Sequence, residues 1–249
     1  MKLHLLAACL GLVASAPPAL ASTCATETMG IRNVLLELYT SEGCDSCPPA
    51  DQRLSWHKQA APSDGRLVPL AFHVDYWDRL GWTDRFGSPR HTERQRNLAG
   101  LAGSRQIYTP QFMRNGRDWR GGGDPLAGLA ATPAEARLRL RFAASATLTI
   151  EGEAELARPG LEAWLAIYEH NLTSQVRAGE NAGRTLRHDY VVRQLIGPLA
   201  PDHAGRVALR QTTVAAKDWK RADLGVVAFV QDRATGEVVQ ALQRHTCPD

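Results

Sequence analysis

Long hydrophobic segments are absent from this sequence after its first twenty or so residues. No later stretch is long and uncharged enough to cross a bilayer, so the sequence predicts no membrane span beyond the N-terminus. An excess of one charge sign is also missing: 29 Lys and Arg against 26 Asp and Glu leave a net charge of +3. Scattered charge of this size gives no electrostatic reason to expect a nucleic-acid partner.

Sequence signals for nucleotide binding and for hydrolysis are missing as well. The glycine run at 121–123 is not followed by a helix with a Lys-Ser/Thr pair, so it does not read as a phosphate-binding loop. No serine stands in a nucleophile elbow, and no internal repeat is visible. We therefore expect no cofactor.

The N-terminus has the composition of an export signal. Lys2 is followed by an apolar run to about Val13 and then by small residues up to Ala21. A basic start, a short apolar run and a small-x-small site are typical of a secretory signal peptide, here at 1–21. We expect a periplasmic or secreted mature protein. Lipidation at Cys9 is the alternative, although the apolar run before it would be unusually short.

Four cysteines remain after the expected signal: Cys24, Cys44, Cys47 and Cys247. Disulfides persist in an exported protein, because its compartment is oxidising. The first and last of the four lie near the two mature chain ends, which are often close in space. We expect a structural Cys24–Cys247 disulfide; two free tail thiols are the alternative.

The other two cysteines form a Cys-x-x-Cys motif. It follows an apolar segment at 31–39 that predicts a buried strand, and an amphipathic helix should begin near Pro49. A second strand at 67–74 would complete a βαβ unit, beside which this motif is a redox signature. The helix N-terminus favours a thiolate at Cys44, the sulfur expected to be more exposed. Cys44 would attack a substrate disulfide and Cys47 would resolve the mixed disulfide.

A Tyr-Thr-Pro sequence lies well downstream of this motif. In a thioredoxin fold such a Thr-Pro pair carries a cis proline that faces the dithiol, so we expect Tyr108, Thr109 and Pro110 to bind substrate. The Thr109 backbone would pair with an extended substrate as an added strand. An ordinary trans proline in a loop is the alternative.

Two polar residues end the second predicted strand, where open α/β sheets place ligands. His73 and Asp75 could contact substrate, exchange protons with Cys47 or help to hold a metal; alternatively they are a hydrogen-bonded histidine and a turn aspartate. The polar loop at 180–184 could fold back to the dithiol as a substrate contact or hold the two halves of the chain together. We favour the structural role for this loop.

Five stretches of the chain also match a known family. They are 37–51, 73–78, 81–82, 108–111 and 179–186. On these residues the chain resembles the bacterial secreted thioredoxin-like family catalogued as domain of unknown function 1223. The resemblance implies a thioredoxin-like core with an elaborated second half, and it makes the dithiol the candidate site. It implies no particular activity.

The expected fold is therefore an α/β thioredoxin-like domain followed by a mainly antiparallel, sandwich-like β region. The first domain would span 22–143, with a helical insertion near 75–105, and the second region 144–249. Within the first, a helix should begin at Ser88, a hairpin should turn at Asn115-Gly116, and a short helix is predicted over about 133–141.

Three functions fit these features. The first is a thiol–disulfide oxidoreductase that acts on protein thiols or disulfides, or with a redox partner. Asp45 opposes thiolate formation at Cys44 and argues against a very strong oxidant. The second is a metal module in which two thiolates and His73 bind Cu(I). The third is a non-catalytic partner-binding protein with a permanent Cys44–Cys47 disulfide. We expect no nucleic-acid partner and, after signal removal, no membrane association; the sequence does not determine the oligomeric state.

Overall fold

A computed structural model describes residues 25–59, 65–129, 131–145 and 147–246. The expected signal peptide and the cysteines at 9, 24 and 247 lie outside these ranges, so export, lipidation and the terminal disulfide stay predictions. Within these ranges no helix combines the length and apolar character that a bilayer span needs.

Fifteen strands and two α-helices form in the described residues. The strands are β1 (Ala25–Glu27), β2 (Val34–Thr40), β3 (Leu67–His73), β4 (Gln111–Arg114), β5 (Arg117–Asp118), β6 (Ala136–Ala144), β7 (Leu148–Leu156), β8 (Leu161–Glu169), β9 (Leu172–Gln175), β10 (Thr185–His188), β11 (Val191–Leu199), β12 (Arg206–Ala208), β13 (Gln211–Thr213), β14 (Leu224–Asp232) and β15 (Val238–His245). The helices are α1 (Pro48–Gln59) and α2 (Pro89–Leu101), with 3-10 turns at Asp78–Leu80 and Arg221–Asp223.

The largest sheet has eight strands in the order β15-β14-β8-β11-β3-β2-β4-β5. Strand β3 pairs in parallel with β2 on one side and with β11 on the other, and the remaining neighbours are antiparallel. All seven residues of β2 and of β3 are buried, as expected for strands covered on both faces. The parallel register sets Thr40 beside His73, so both strands end at the same edge of the sheet.

In β8 and β14 the two faces of this sheet belong to different hydrophobic cores, because successive strand residues point to opposite sides. On one face, Leu165 and Val226 pack with Phe142 of β6, which belongs to a second sheet of order β1-β6-β7-β12 with β13 beside β7. On the other face, Tyr168 and Phe229 join a cluster that includes side chains of β2, β3 and both helices.

The expected fold, an α/β thioredoxin-like domain followed by a sandwich-like β region, is wrong. Strands dominate the described chain, and only two α-helices of 12 and 13 residues accompany them. The β2–α1–β3 unit is present as predicted, but it is local. Strands from the second half of the chain, β11, β8, β14 and β15, continue its sheet from the free edge of β3. Pairing between residues so distant in sequence leaves little trace in local patterns, which explains the error.

The helix predicted over about 133–141 is also wrong, because β6 occupies Ala136–Ala144. Arg137 and Arg139 are exposed, whereas Leu138 and Leu140 are buried. This alternation has the period of two that a half-buried strand requires. The antiparallel partners β1 and β7 lie on either side of β6 and fix this register.

Other local predictions are confirmed. Helix α2 begins at Pro89 after Ser88, whose hydroxyl accepts a hydrogen bond from the Arg90 N–H at 3.3 Å. The β4–β5 hairpin turns at Asn115 and Gly116, which have φ angles of 50° and 78°. Two positive φ angles in a two-residue turn match the twist of the flanking strands.

A buried ion pair joins α2 to the sheet. Arg94 Nε donates to Glu37 Oε1 of β2 at 2.7 Å, and the exposed fractions of the two side chains are 4 % and 0 %. Arg94 Nη1 also donates to Gln231 Oε1 of β14 at 3.0 Å, and the guanidinium lies 4.8 Å from the centre of the Phe229 ring. The pair therefore connects strands from both halves of the chain through one helix.

We predict that Arg94→Met lowers the free energy of unfolding by about 3–5 kcal/mol, because it leaves the Glu37 carboxylate buried without a counter-charge. Urea denaturation measures this loss. Adding Glu37→Gln to Arg94→Met should restore part of the stability. The control is Arg120→Met, whose side chain is 78 % exposed in its pair with Asp118 and should matter little. Equal losses in Arg94→Met and Arg120→Met would contradict the prediction.

Candidate functional site

The cysteine motif lies where β2 passes into α1. Cys44 and Cys47 are joined in a disulfide, with their Cα atoms 5.4 Å apart. The Cys47 carbonyl accepts the N–H of Ala50 at 2.9 Å and that of Asp51 at 3.1 Å, so it receives the first hydrogen bonds of the helix. The predicted strand, dithiol and helix therefore follow one another as expected.

Both cysteines are fully buried, while Asp45 and Ser46 between them are exposed. The expectation that Cys44 is the more exposed sulfur is therefore wrong for the disulfide form. The polar loop at 180–184 lies against the turn that carries the cysteines, and its side chains bond to that turn.

Asn181 fastens this loop to the disulfide turn. Its side-chain amide is buried and donates to the Glu42 carbonyl at 2.9 Å and to the Cys44 carbonyl at 2.8 Å. The Asp45 N–H donates to Glu180 Oε2 at 3.1 Å. Of the two roles considered for the loop, these bonds support the structural one, since they join the loop, from the second half of the chain, to backbone groups of the turn that carries the cysteines.

The N-terminus of α1 offers the sulfurs fewer backbone N–H donors than a typical helix N-terminus does. Its first two residues, Pro48 and Pro49, have no backbone N–H to donate. Ser46 Oγ lies 3.4 Å from Cys44 Sγ, and since a disulfide sulfur carries no hydrogen, the hydroxyl is the donor. A thiolate at Cys44 would thus gain this hydroxyl and the helix dipole.

The Thr109–Pro110 peptide bond is cis, as predicted. The Trp77 indole N–H donates to Thr109 Oγ1 at 2.7 Å. Trp77 also packs on the disulfide turn, because a Cβ placed on Gly43 would lie only 3.0 Å from the Trp77 Cβ. Trp77 therefore bridges the cis-proline loop and the turn that holds the cysteines.

Two of the predicted substrate residues line a cleft of about 910 Å³. Tyr108 and Pro110 share it with Phe112, Trp119 and Arg53 of α1, whose guanidinium lies 4.9 Å from the centre of the Trp119 ring. Neither sulfur lines this cleft. The cleft therefore places Tyr108 and Pro110 against α1, and Trp77 connects the neighbouring Thr109 to the disulfide turn.

The two polar residues at the end of β3 have different surroundings. The Asp75 carboxylate accepts a hydrogen bond from Thr92 of α2 at 2.5 Å. His73 Nδ1 lies 2.7 Å from Asp84 Oδ2, and both of these side chains are fully buried. Asp75 is therefore tied to α2, whereas His73 belongs to a buried group of titratable side chains.

We call this group the polar cluster: Glu42, Asp51, His73, Asp84 and His188, each at most 5 % exposed. His188 Nε2 lies 3.4 Å from Glu42 Oε1, and His188 Nδ1 lies 3.9 Å from Asp51 Oδ1. The ring centres of the two histidines are 4.9 Å apart. Asp51 stands one helical turn after Cys47, so the polar cluster adjoins the disulfide turn.

Charge pairing sets the protonation of the polar cluster. Burial alone would raise the pKa of Asp84, but the charge and hydrogen bond of His73 help to lower it to about 2. Burial alone would lower the pKa of His188, but Asp51 and Glu42 raise it to about 10. An ionised Asp84 can only accept a hydrogen bond, so the proton between it and His73 resides on the histidine Nδ1.

Sequence reasoning found only His73 of this cluster. Asp51 could have been found, since a residue four positions after Cys47 lies on the same helix face. Nothing in the local sequence marks Asp84 or His188, because the β9–β10 hairpin brings His188 to α1 from far along the chain.

The family model described as "Protein of unknown function (DUF1223)" matches residues 35–231, which is most of the chain. The chain belongs to the DUF1223 family. This confirms the resemblance to that family of unknown function; it does not confirm a thioredoxin-like character, and export stays a prediction. A search of curated proteins found no match.

Two solved structures resemble this DUF1223 protein. Protein AGR_C_4864 from Agrobacterium tumefaciens is 25 % identical, with a TM-score of 0.62 over 89 % of this chain and 98 % of that one. HBP35 of Porphyromonas gingivalis is 17 % identical, with a TM-score of 0.64 over 88 % of this chain and 76 % of that one. The likeness to HBP35 concerns the fold alone.

We predict that Asn181→Ala exposes the disulfide. Loss of the two buried hydrogen bonds should lower the free energy of unfolding by about 1–3 kcal/mol. Reduction of Cys44–Cys47 by dithiothreitol, followed by thiol alkylation and mass spectrometry, should become faster because the loop no longer covers the sulfurs. Asn97→Ala, at an exposed position of α2, is the matched control and should change neither quantity. An unchanged reduction rate in Asn181→Ala would count against a covering role.

Proposed function

We propose that this DUF1223 protein is an exported thiol–disulfide oxidoreductase, with Cys44 and Cys47 as its redox-active pair. The observation that supports the proposal is the disulfide between them at the strand–helix junction, with the Ser46 hydroxyl beside Cys44. The Cα separation of 5.4 Å lies in the usual disulfide range, so the pair can close from this backbone position.

In the reducing direction, the Cys44 thiolate attacks one sulfur of a substrate protein disulfide. A bond forms between Cys44 and that sulfur, the substrate S–S bond breaks, and a substrate thiolate leaves. The Cys47 thiolate then attacks Cys44 Sγ, forms the Cys44–Cys47 bond and releases the second substrate thiolate. The substrate gains two electrons and the cysteine pair loses two. A protein dithiol partner restores the pair, and the reverse steps oxidise a substrate dithiol.

On this proposal, access to the sulfurs requires the loop at 180–184 to move, because both cysteines are buried and the loop is bonded to the turn that carries them. The exposed residues Asp45 and Ser46 mark the side from which a substrate would approach. On this proposal the loop moves away from the sulfurs when the two hydrogen bonds of the buried Asn181 amide break.

The proposed substrate contacts are Tyr108, Thr109 and Pro110. Tyr108 and Pro110 supply an apolar and aromatic wall of the cleft, and the Thr109 side chain is fixed by Trp77 next to the disulfide turn. An extended substrate segment lying in this cleft could pair with the Thr109 backbone. His73 has no exposed surface and is left out of these contacts.

We predict that the wild-type protein catalyses exchange between dithiothreitol and a model disulfide, and that Cys44→Ser reduces the rate to that of the uncatalysed reaction. The serine hydroxyl cannot form the mixed disulfide. Cys47→Ser should instead accumulate a mixed disulfide, visible by mass spectrometry, because its resolving sulfur is gone. Ser104→Ala, at an exposed position outside the site, serves as the control. Wild-type turnover in Cys44→Ser would refute the proposal.

Full burial of the two cysteines favours a second candidate, a non-catalytic protein with a permanent disulfide. The two functions differ in the stability of the Cys44–Cys47 bond. Structural disulfides of exported proteins have reduction potentials below roughly −300 mV, whereas catalytic ones lie higher. We predict a value above that limit, measured by equilibration in glutathione or dithiothreitol buffers and thiol alkylation. A value below it would establish the second candidate in place of the first.

A further inference from the structure

We infer that Asp51, His73 and His188 form a binding site for a divalent transition-metal ion of the zinc type. One donor atom from each of the three lies within 4.8 Å of the others, and all three side chains are buried. The sequence suggested a metal only on the two thiolates with His73, and this site uses neither sulfur. It is therefore independent of the proposed redox function.

The imidazole nitrogens that this site would use make no hydrogen bond to the described residues, and the nearest polar contact is that of His188 Nε2 with Glu42 Oε1 at 3.4 Å. His73 Nε2, both ring nitrogens of His188 and Glu42 Oε1 are buried without a hydrogen bond. Polar atoms in that situation cost free energy unless something satisfies them. A metal ion would satisfy several of these lone pairs at once, and the atoms converge on one place.

Neighbouring groups orient the proposed ligands. Asp84 Oδ2 lies 2.7 Å from His73 Nδ1 and accepts its hydrogen bond, which leaves the Nε2 lone pair of His73 free to bind a metal ion. Asp84 is itself fixed by the N–H groups of Glu42 and Phe86, each at 2.9 Å. A carboxylate behind a histidine is the usual outer support of a metal-bound imidazole. On the other side, the Thr40 hydroxyl donates to Asp51 Oδ2 at 3.0 Å and leaves Oδ1 towards His188.

The charge of the polar cluster also suits a cation. Three carboxylates, those of Glu42, Asp51 and Asp84, share the cluster with two imidazoles. In the described part of the chain, no lysine or arginine forms a salt bridge with any of these three carboxylates. Binding would displace the proton that Asp51 and Glu42 hold on His188, and the divalent ion, bound by two neutral imidazoles, would then offset two of the three negative charges.

The chemical types of the three ligand side chains determine which metal ions the site would bind. Two imidazoles and a carboxylate suit Zn²⁺ and related first-row ions, whereas Mg²⁺ and Ca²⁺ prefer oxygen ligands throughout. Zinc-to-ligand distances of about 2.0–2.2 Å require the donors to draw together by roughly 1 Å on binding. Glu42, next to His188, is placed to become the fourth ligand. The ion would cross-link α1, β3 and β10 beside the disulfide turn.

The test is zinc titration of the chelator-stripped full chain by calorimetry. We expect one Zn²⁺ per chain and a rise in Tm of roughly 5–10 °C at a hundredfold excess over Kd. The same concentration of Mg²⁺ should have no effect. Co²⁺ should give the visible absorption bands of a nitrogen- and oxygen-ligated site without a thiolate charge-transfer band.

Substitutions of individual residues test whether zinc binds at the polar cluster. His188→Gln should weaken zinc binding about 100-fold or more, and Asp84→Asn about 10–100-fold. His170→Gln, a buried histidine outside the polar cluster, is the matched control and should bind as the wild type does. Circular dichroism checks that each variant folds, and the wild-type stoichiometry decides the question if one does not.

The cysteine double variant Cys44→Ser/Cys47→Ser separates this inference from the redox proposal. It should lose thiol chemistry and keep its zinc. Absence of stoichiometric zinc binding in the wild type would overturn the inference, and so would loss of zinc in the double variant. Either result would leave the redox assay free to succeed or fail on its own.

Discussion

The candidate site is built on a buried polar edge of the large sheet. Strands β2 and β3 end side by side at Thr40 and His73, and the turn that follows β2 carries the disulfide. Polar groups that are buried there need partners. Asp84 supplies one set of hydrogen bonds, and Asn181 supplies another from the second half of the chain. The site therefore exists only when distant segments have packed onto this edge.

The continuous sheet makes that packing possible. Strand β11 pairs with the outer side of β3, and β8, β14 and β15 extend the sheet beyond it. This arrangement places the β9–β10 hairpin against α1, and with it His188. The buried pair of Arg94 and Glu37 adds a second connection between the halves. Contacts between the two halves of the chain thus hold the sheet, the loop at 180–184 and the polar cluster together.

The proposed redox chemistry requires movement next to the start of α1, whereas the proposed metal site would hold the same part of the helix in place. Opening of the disulfide requires the loop at 180–184 to release Cys44, whereas an ion at Asp51 would hold α1 firmly against β3 and β10. The two demands are compatible, because the fastening at Asn181 and the ligands of the polar cluster use different atoms. If both proposals hold, the bound ion would keep the start of α1 and Cys47 in place while the loop at 180–184 releases Cys44.

The β2–α1–β3 unit, the start of α2 at Ser88, the Asn115-Gly116 turn and the Cys44–Cys47 pair could be read from local sequence signals, whereas the cis bond at Pro110 is expected from the position of the Thr-Pro pair in a thioredoxin fold. Those local signals depend on residues near one another in the chain, through periodicity, capping or turn geometry. Only the tertiary structure decided the eight-stranded sheet, the burial of both sulfurs and the meeting of Asp51, His73 and His188. Those features come from pairing between distant segments, and a single local pattern carries no record of which distant segment will become its partner.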